Sequence, residues 1–223
     1  MLLFQARGYE GVSLAELTAA MAVNPPSLYA AFGSKEALFR EAVAIDRQRA
    51  FGAIEAALAT EGTARAAIAA MLAVAAAAFS APGRPAGSLA ILGAINCASE
   101  NAGLRDFLAE VRRETARLIA ARIARAQADG EIETTADCAA IAGFYAAVVN
   151  GMALAAFDGA SAAELAAIGD HAMAGFDAFT RSPVAELPEP AAKVEAPSAR
   201  PEKRAARTEK PAKTDTPPQL QLF

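Results

Sequence analysis

Apolar residues recur at intervals of three and four along residues 13–39, which is the spacing of one face of a helix. Ser13, Asn24 and Ser34 stand where helix-capping side chains are favoured. Pro25 follows Asn24 at the first helical position, where its missing N–H group costs nothing. This stretch predicts two short helices and the start of a third, with apolar positions at Leu14, Leu17, Met21, Leu28, Phe32, Leu38 and Phe39.

The two short helices, joined across residues 22 and 23, predict a helix-turn-helix. Leu28 and Phe32 lie four positions apart on the second helix, so both side chains point the same way. In this motif the second helix enters the major groove of DNA. The pattern therefore predicts a DNA-binding protein.

Further helical periodicity predicts an all-α body, broken by a Pro- and Gly-containing segment at residues 81–85. The predicted body helices cover residues 34–58, 63–80, 88–100, 104–128, 135–157 and 161–179. We predict three parts: a helix-turn-helix domain at 1–46, a helical regulatory and dimerisation domain at 47–181, and a disordered tail at 182–223.

The first fifty residues resemble the DNA-binding domain of the TetR/AcrR family of transcriptional repressors. The matching residues are Gly8, Tyr9, Gly11, Ser13, Ser27, Leu28, Tyr29, Phe32, Ser34, Lys35 and Glu36. The resemblance implies a homodimer that binds a palindromic double-stranded operator and responds to a small-molecule inducer. Only the last turn of the family's first helix is recognisable, at Met1–Phe4. We therefore expect Met1 to be an internal methionine of a longer product. The alternative is a protein whose DNA-binding domain is shortened and less stable.

The resemblance also implies the DNA contacts. Tyr29 and Lys35 match positions that hold phosphate oxygens, and the Ser13 and Ser27 hydroxyls stand at helix starts where phosphates bind. Pro25, Pro26 and Ser27 lead the recognition helix and would lie nearest the base edges. This helix has no Arg or Gln to read guanine or adenine, so readout would depend on thymine methyl groups and DNA shape. The alternative is that Tyr29 is a packed aromatic and Lys35 a solvated charge.

The family pattern implies an inducer pocket inside the body and a dimer formed by the last two helices. Candidate lining residues are Met71, Phe79, Asn96, Phe107, Phe144 and Tyr145, each of which is alternatively plain core. Because these residues are uncharged, we expect an uncharged, hydrophobic inducer. Small residues at Ala146, Ala147, Gly151 and Ala155 would let helices of two subunits approach closely, or alternatively close a monomer core.

Composition narrows the function classes. The net charge of −4 argues against a general nucleic-acid coat protein, and residues 1–50 carry balanced charges, which predicts a shallow salt dependence of DNA binding.

A single histidine and the lack of a catalytic motif predict no enzyme activity, no metal and no cofactor. Cys97 and Cys138 are predicted to be core thiols in a reducing cytoplasm, the alternative being a redox-sensing pair. The uncharged residues 138–157 predict a buried or interface helix rather than a membrane span.

The tail has a different composition: eight of the chain's 12 prolines fall in residues 182–223, with few large apolar side chains. Its end resembles the peptide by which bacterial replication and repair proteins dock on the DNA sliding clamp. That peptide would use Gln219, Leu220, Leu222 and Phe223. An alternative function is therefore an interaction adaptor whose tail recruits such a partner, and the simplest alternative is a solvated tail with an incidental apolar end.

Overall fold

The computed structural model describes residues 1–59, 62–95 and 97–181. Within these ranges every regular element is helical, so the predicted all-α fold is confirmed. The α-helices are α1 (Leu2–Arg7), α2 (Leu14–Met21), α3 (Pro25–Phe32), α4 (Lys35–Ala59), α5 (Ala64–Phe79), α6 (Leu89–Leu92), α7 (Ala102–Ala128), α8 (Cys138–Phe157), α9 (Ala162–Ala174) and α10 (Phe176–Arg181). A short 3₁₀ turn, Ser99–Asn101, precedes α7.

The predicted caps start the first helices. The Ser13 hydroxyl oxygen accepts a hydrogen bond from the Glu16 backbone N–H at 3.2 Å, and the Glu16 carboxylate accepts one from the Ser13 backbone N–H at 2.8 Å. Asn24 accepts from the Ser27 N–H at 2.8 Å, and Ser34 accepts from the Ala37 N–H at 3.0 Å. Each cap satisfies a backbone donor that has no partner inside its own helix.

Three aromatic rings hold the first helix and its following loop on α4. Phe4 of α1 is fully buried and meets Phe39 of α4 edge-on, with ring centroids 5.1 Å apart. Tyr9 packs on the same Phe39 ring at 5.2 Å. This cluster, Phe4–Tyr9–Phe39, anchors the region that carries α2 and α3.

Helix α4 continues from the aromatic cluster into the body. It is 25 residues long and packs against α5, α6 and α7. The predicted domain division at residue 46 falls inside this unbroken helix. At that position the buried Asp46 carboxylate accepts hydrogen bonds from the Ser88 hydroxyl at 2.9 Å and the Ala90 N–H at 3.2 Å. Asp46 therefore joins α4 to the start of α6.

The body is built around α5 and α8. Helix α5 packs against α4, α8 and α9, and its Ile68, Met71 and Ala75 are fully buried. Helix α8 is the one helix in the described ranges that is long and apolar enough, by length and composition, to cross a membrane. Here it packs against α5, α7 and α9, and the hydroxyl of its buried Tyr145 donates to the Ala172 carbonyl of α9 at 3.2 Å.

Two predicted helices are wrong in extent. The helix predicted at 88–100 ends at Leu92, because the chain turns there and the Gly93 carbonyl accepts from the Tyr9 N–H at 2.7 Å. The last predicted helix divides at Gly175 into α9 and α10. A Cβ atom at Gly175 would lie 3.0 Å from the Phe179 ring, so a larger residue here would require that ring to move. Asn96 and the tail, including Gln219, Leu220, Leu222 and Phe223, lie outside the described residues.

Phe4→Ala tests the aromatic cluster. We expect this variant to lower the free energy of unfolding by about 3–5 kcal/mol, because it removes a fully buried ring and leaves a cavity. Leu2→Ala in the same helix is the matched control, since Leu2 is 53% exposed and its loss should change stability by less than about 0.5 kcal/mol. Urea unfolding measures both, and equal losses would contradict the assignment.

The pH dependence of the Tm of Glu16→Gln tests the cap of α2. Hydrogen bonds from the Ser13 backbone and hydroxyl, and then from Arg7, lower the pKa of Glu16 from 4.5 to about 2. A carboxyl with a lowered folded-state pKa stabilises the fold above its unfolded pKa, and this contribution is lost as pH falls. The wild-type protein should therefore have the higher Tm at pH 7, with the difference disappearing between about pH 4.5 and 2.

Glu164→Gln provides a matched test at the start of α9. Hydrogen bonds from the backbone and hydroxyl of Ser161 also lower the pKa of Glu164. The difference in Tm between the wild-type protein and Glu164→Gln should therefore also become smaller as the pH falls. Tm differences that stay constant from pH 7 downward in both variants would show that neither carboxylate caps its helix.

Candidate nucleic-acid interface

The α2–turn–α3 unit is fixed by two buried leucines and a tight turn. Leu17 of α2 is 4% exposed and Leu28 of α3 is 1% exposed, and the two helices pack against each other. The turn between them passes through Ala22 with φ of 53°, a left-handed conformation that few non-glycine residues adopt. The predicted helix-turn-helix is confirmed.

Helix α3 turns most of its residues to solvent. Pro25, Pro26, Ser27 and Tyr29 are all exposed, and Tyr29 has 48% of its surface accessible. Leu28, between them, is the single buried residue of the helix. The sequence-predicted residues of α3 therefore lie together on one accessible surface, which we call the α3 face (Pro25, Pro26, Ser27 and Tyr29).

The α3 face has no formal charge, and the adjoining Ala30 and Ala31 are also exposed. Pro25 and Pro26 have no N–H group, but Ser27 and Tyr29 offer hydroxyl donors. Such a surface can make apolar contacts with thymine methyl groups and hydrogen bonds to phosphate. It cannot make the bidentate arginine or glutamine contacts that identify guanine or adenine.

Ser13 lies at the start of α2 and is exposed, but its hydroxyl already works as a cap. It accepts from the Glu16 N–H and donates to the Glu16 carboxylate at 2.7 Å. That carboxylate pairs with Arg7 at 2.7 Å. Any phosphate that approaches Ser13 therefore meets a hydrogen-bonded network rather than a vacant hydroxyl.

Lys35, the first residue of α4, lies on the aromatic cluster. Its ammonium group is 4.1 Å from the centroid of the Tyr9 ring, which is a cation–π contact. Partial burial lowers the pKa of Lys35, while the charge of Glu10 opposes the shift. The ring restricts the position of the ammonium group, so Lys35 is not a freely solvated charge.

The predicted inducer-pocket residues are spread through the body. Met71 and Phe79 are buried on α5, and the Phe79 ring lies 6.5 Å from that of Phe51. Phe107 lies under the guanidinium of Arg40 at 4.4 Å. Phe144 and Tyr145 contact each other on α8, with ring centroids 5.0 Å apart. Met71, Phe79 and Tyr145 are part of the hydrophobic core, and Phe107 packs against that core. Phe144 is 39% exposed and lines a shallow groove of about 180 Å³ with Phe179.

Sequence reasoning missed Asp46. The residue is 6% exposed, and burial raises its pKa, while the N–H groups of α6 and the Ser88 hydroxyl act in the opposite direction. Its spacing offered a signal, since Val43, Asp46 and Ala50 lie on one buried face of α4. A carboxylate on an apolar helix face requires a buried hydrogen-bond partner.

Comparison with known proteins agrees with this geometry. The sequence model for bacterial regulatory proteins of the tetR family matches residues 1–42. The HTH-type transcriptional repressor ComR of Escherichia coli K12 is 31% identical over 166 residues, which are 74% of this chain and 79% of ComR. The repressor BdcR of the same organism is 58% identical over 38 residues, covering 17% of this chain and 19% of BdcR.

Solved structures of TetR family regulators are also similar to this protein. A cysteine mutant of the TetR family regulator CifR, in complex with 26-base-pair operator DNA, is 39% identical with a TM-score of 0.75. The match covers 78% of this chain and 92% of that one. A TetR regulator from Chloroflexus aurantiacus, 23% identical with a TM-score of 0.69, shares the fold over 81% of this chain and 91% of its own. The protein therefore belongs to the TetR family of bacterial regulatory proteins and is a DNA-binding transcriptional regulator, not an enzyme.

Proposed function

We propose that this protein is a homodimeric cytoplasmic repressor that binds a palindromic operator and is released by a small, uncharged, hydrophobic inducer. The observation that carries the proposal is the α3 face, an exposed surface at the start of a helix whose position is fixed by buried Leu17 and Leu28. A dimer would present two such helices to successive turns of the major groove.

In this proposal the α3 face reads DNA by apolar contact and shape. Pro25 and Pro26 lie at the tip of α3 and would meet thymine methyl groups. The Tyr29 hydroxyl and the Lys35 ammonium group would bind phosphate oxygens on either side, which fixes the register without reading sequence. Because the charges near α3 are largely paired, we expect few counterions to be released on binding.

The exposed side of α8 supports a dimer. Ala140, Gly143, Ala147 and Gly151 recur at three- and four-residue intervals and are all exposed. This side carries no charge, and the exposed apolar side chains of Phe144 and Leu154 lie beside the small residues. Ala146, which the sequence assigned to the same surface, is instead 9% exposed within the subunit. Small residues let two helices approach closely, and a second copy of α8 fits such a surface.

Helix α4 offers the route from inducer to DNA. It is about 37 Å long at 1.5 Å per residue and runs unbroken from Lys35, next to α3, to Ala59 in the body. Asp46 attaches its middle to α6 through buried hydrogen bonds. A shift of the body that tilts α4 would therefore change the separation of the two α3 helices in a dimer.

Tyr29→Phe and Lys35→Ala test the DNA contacts. Fluorescence anisotropy on the DNA immediately upstream of the protein's own gene, in a salt series, measures affinity and its slope. Tyr29→Phe removes only a hydroxyl and should weaken dimer binding at least about tenfold, since each phosphate hydrogen bond contributes about 1.5–3 kcal/mol. Lys35→Ala should also make the slope of log binding constant against log salt concentration shallower by about two, because each subunit of the dimer loses about one phosphate contact.

Arg113→Ala is the control for charge, because Arg113 is exposed on α7 and pairs with Glu110. It should leave both affinity and slope unchanged. Equal binding by wild-type protein, Tyr29→Phe and Lys35→Ala would contradict the proposed contacts, and binding no stronger than to random DNA would contradict autoregulation.

Gly151→Glu tests the dimer. A Cβ atom at Gly151 would meet no atom of another element within 4 Å, so the fold should be retained while a charge enters the α8 surface. Gly103→Glu on α7 is the matched control, since Gly103 is equally open. Sedimentation equilibrium should give twice 22.8 kDa for the wild-type protein and Gly103→Glu, and 22.8 kDa for Gly151→Glu. A dimer in all three would contradict this interface.

A further inference from the structure

The leading turn of α3 presents hydrocarbon to its surroundings. Pro25 and Pro26 occupy the first two helical positions, and both are exposed. Ala30 follows Pro26 by four positions, so the two lie on the same side of the helix, and Ala30 is exposed as well. A molecule that meets this side of α3 therefore meets two proline rings and a methyl group.

The same turn has no backbone N–H group to offer to a ligand. The two prolines lack this group, and the Ser27 N–H donates to the Asn24 side-chain oxygen at 2.8 Å. The Leu28 N–H donates to the Asn24 carbonyl at 3.2 Å. The start of a helix ordinarily presents free N–H groups to phosphates or to other acceptors. The first four positions of α3 present none, so this turn cannot read the acceptor atoms of bases through its backbone.

The polar side chains of this turn do not distinguish one base from another. The Asn24 oxygen is occupied by the Ser27 N–H, so Asn24 cannot form the paired donor and acceptor contact that identifies adenine. The Ser27 hydroxyl both donates and accepts, and it therefore suits donor and acceptor edges alike. For such a surface, the feature that separates base pairs is the 5-methyl group, which thymine carries and cytosine lacks.

We infer that α3 reads the 5-methyl group of a pyrimidine rather than its hydrogen-bonding edge, so that 5-methylcytosine is bound like thymine. Methylation of cytosine at a half-site would then strengthen binding, and DNA methylation would regulate this protein independently of the inducer. The inference rests on the proposed function, because it requires α3 to enter the major groove. It goes further by naming a chemical modification of DNA that sets the affinity.

The size of the effect follows from the burial of methyl groups. The methyl group stands on the same ring carbon in thymine and in 5-methylcytosine and projects into the major groove in both. Burying one methyl group against hydrocarbon changes a binding constant by about fourfold. A symmetric operator contains the contact twice, which gives about fifteenfold. Exchanging the hydrogen-bonding edge below the methyl group changes no contact of the two prolines.

The test selects binding sites for the full-length protein from a random DNA library, so that no operator has to be known beforehand. At each thymine of the selected half-sites, uracil then removes the methyl group and keeps the edge. Cytosine and 5-methylcytosine, each paired with guanine, change the edge without and with the methyl group. Fluorescence anisotropy measures binding to these four DNAs, which separate the methyl group from the edge.

Affinity should follow the methyl group at one or more positions of each half-site. We expect thymine and 5-methylcytosine to agree within about threefold, and uracil and cytosine in both half-sites to bind about fifteenfold more weakly. Affinity that follows the edge instead, with thymine equal to uracil and both forms of cytosine weaker, would overturn the inference.

Replacing both prolines assigns the methyl contact to this turn. The double variant Pro25→Ala and Pro26→Ala keeps residues that favour helix but removes the ring carbons, so its preference for thymine over uracil should fall below about threefold. Ile45→Ala is the control, because Ile45 is an apolar residue of α4 that is 43% exposed and lies outside the α3 face. This control should keep the full preference, and circular dichroism confirms that both variants are folded. A double variant with the wild-type preference would overturn the assignment to α3.

Failure of the inference and failure of the proposed function give different results. A library that yields no enriched sequence contradicts operator binding itself and overturns the inference with it. An enriched site whose affinity is the same with uracil as with thymine overturns the inference alone, and leaves a repressor that reads DNA by other contacts.

Discussion

The packing of Phe39 against Phe4 and Tyr9 is the contact on which the rest of the molecule depends. It joins the first helix, the loop before α2 and the start of α4, and the Phe39 ring also lies close to Gly93, where a Cβ would be 3.1 Å away. Three parts of the fold therefore share one ring. Within α2 and α3 themselves, Leu17 and Leu28 are the main buried apolar side chains.

This arrangement explains why α3 keeps its position although its exposed face consists of small and apolar residues. Its orientation is set by the cap of Asn24, by Leu28 and by the aromatic cluster, and none of these uses the exposed side of the helix. The same cluster holds Lys35 over the Tyr9 ring. In the proposed function, recognition and stability are thus carried by different faces of the same short elements.

Local features of this fold were predictable from sequence, and long-range ones were not. Ser13, Asn24 and Ser34 cap helices because the partner of each lies three residues away. The end of α6 depends on a bond from Tyr9 to Gly93, far apart in the chain, so apolar periodicity alone overextended that helix.

The candidate sites divide in the same way. The α3 face followed from a known motif, whereas the hydrogen bond from the Gln5 amide to the Pro85 carbonyl joins residues that are 80 positions apart in the chain. No spacing rule connects these two residues. Asp46 is intermediate, since its place on the buried face of α4 was visible in the sequence but its partners on α6 were not.

Hydroxyl-radical footprinting of the wild-type protein on the DNA upstream of its own gene tests the central claim most directly. That claim is that two α3 helices, related by a two-fold axis, enter the major groove. It predicts two symmetric protected regions on one face of the duplex, with half-sites about one helical turn or slightly more apart. A single protected region, or weak protection without symmetry, would contradict it.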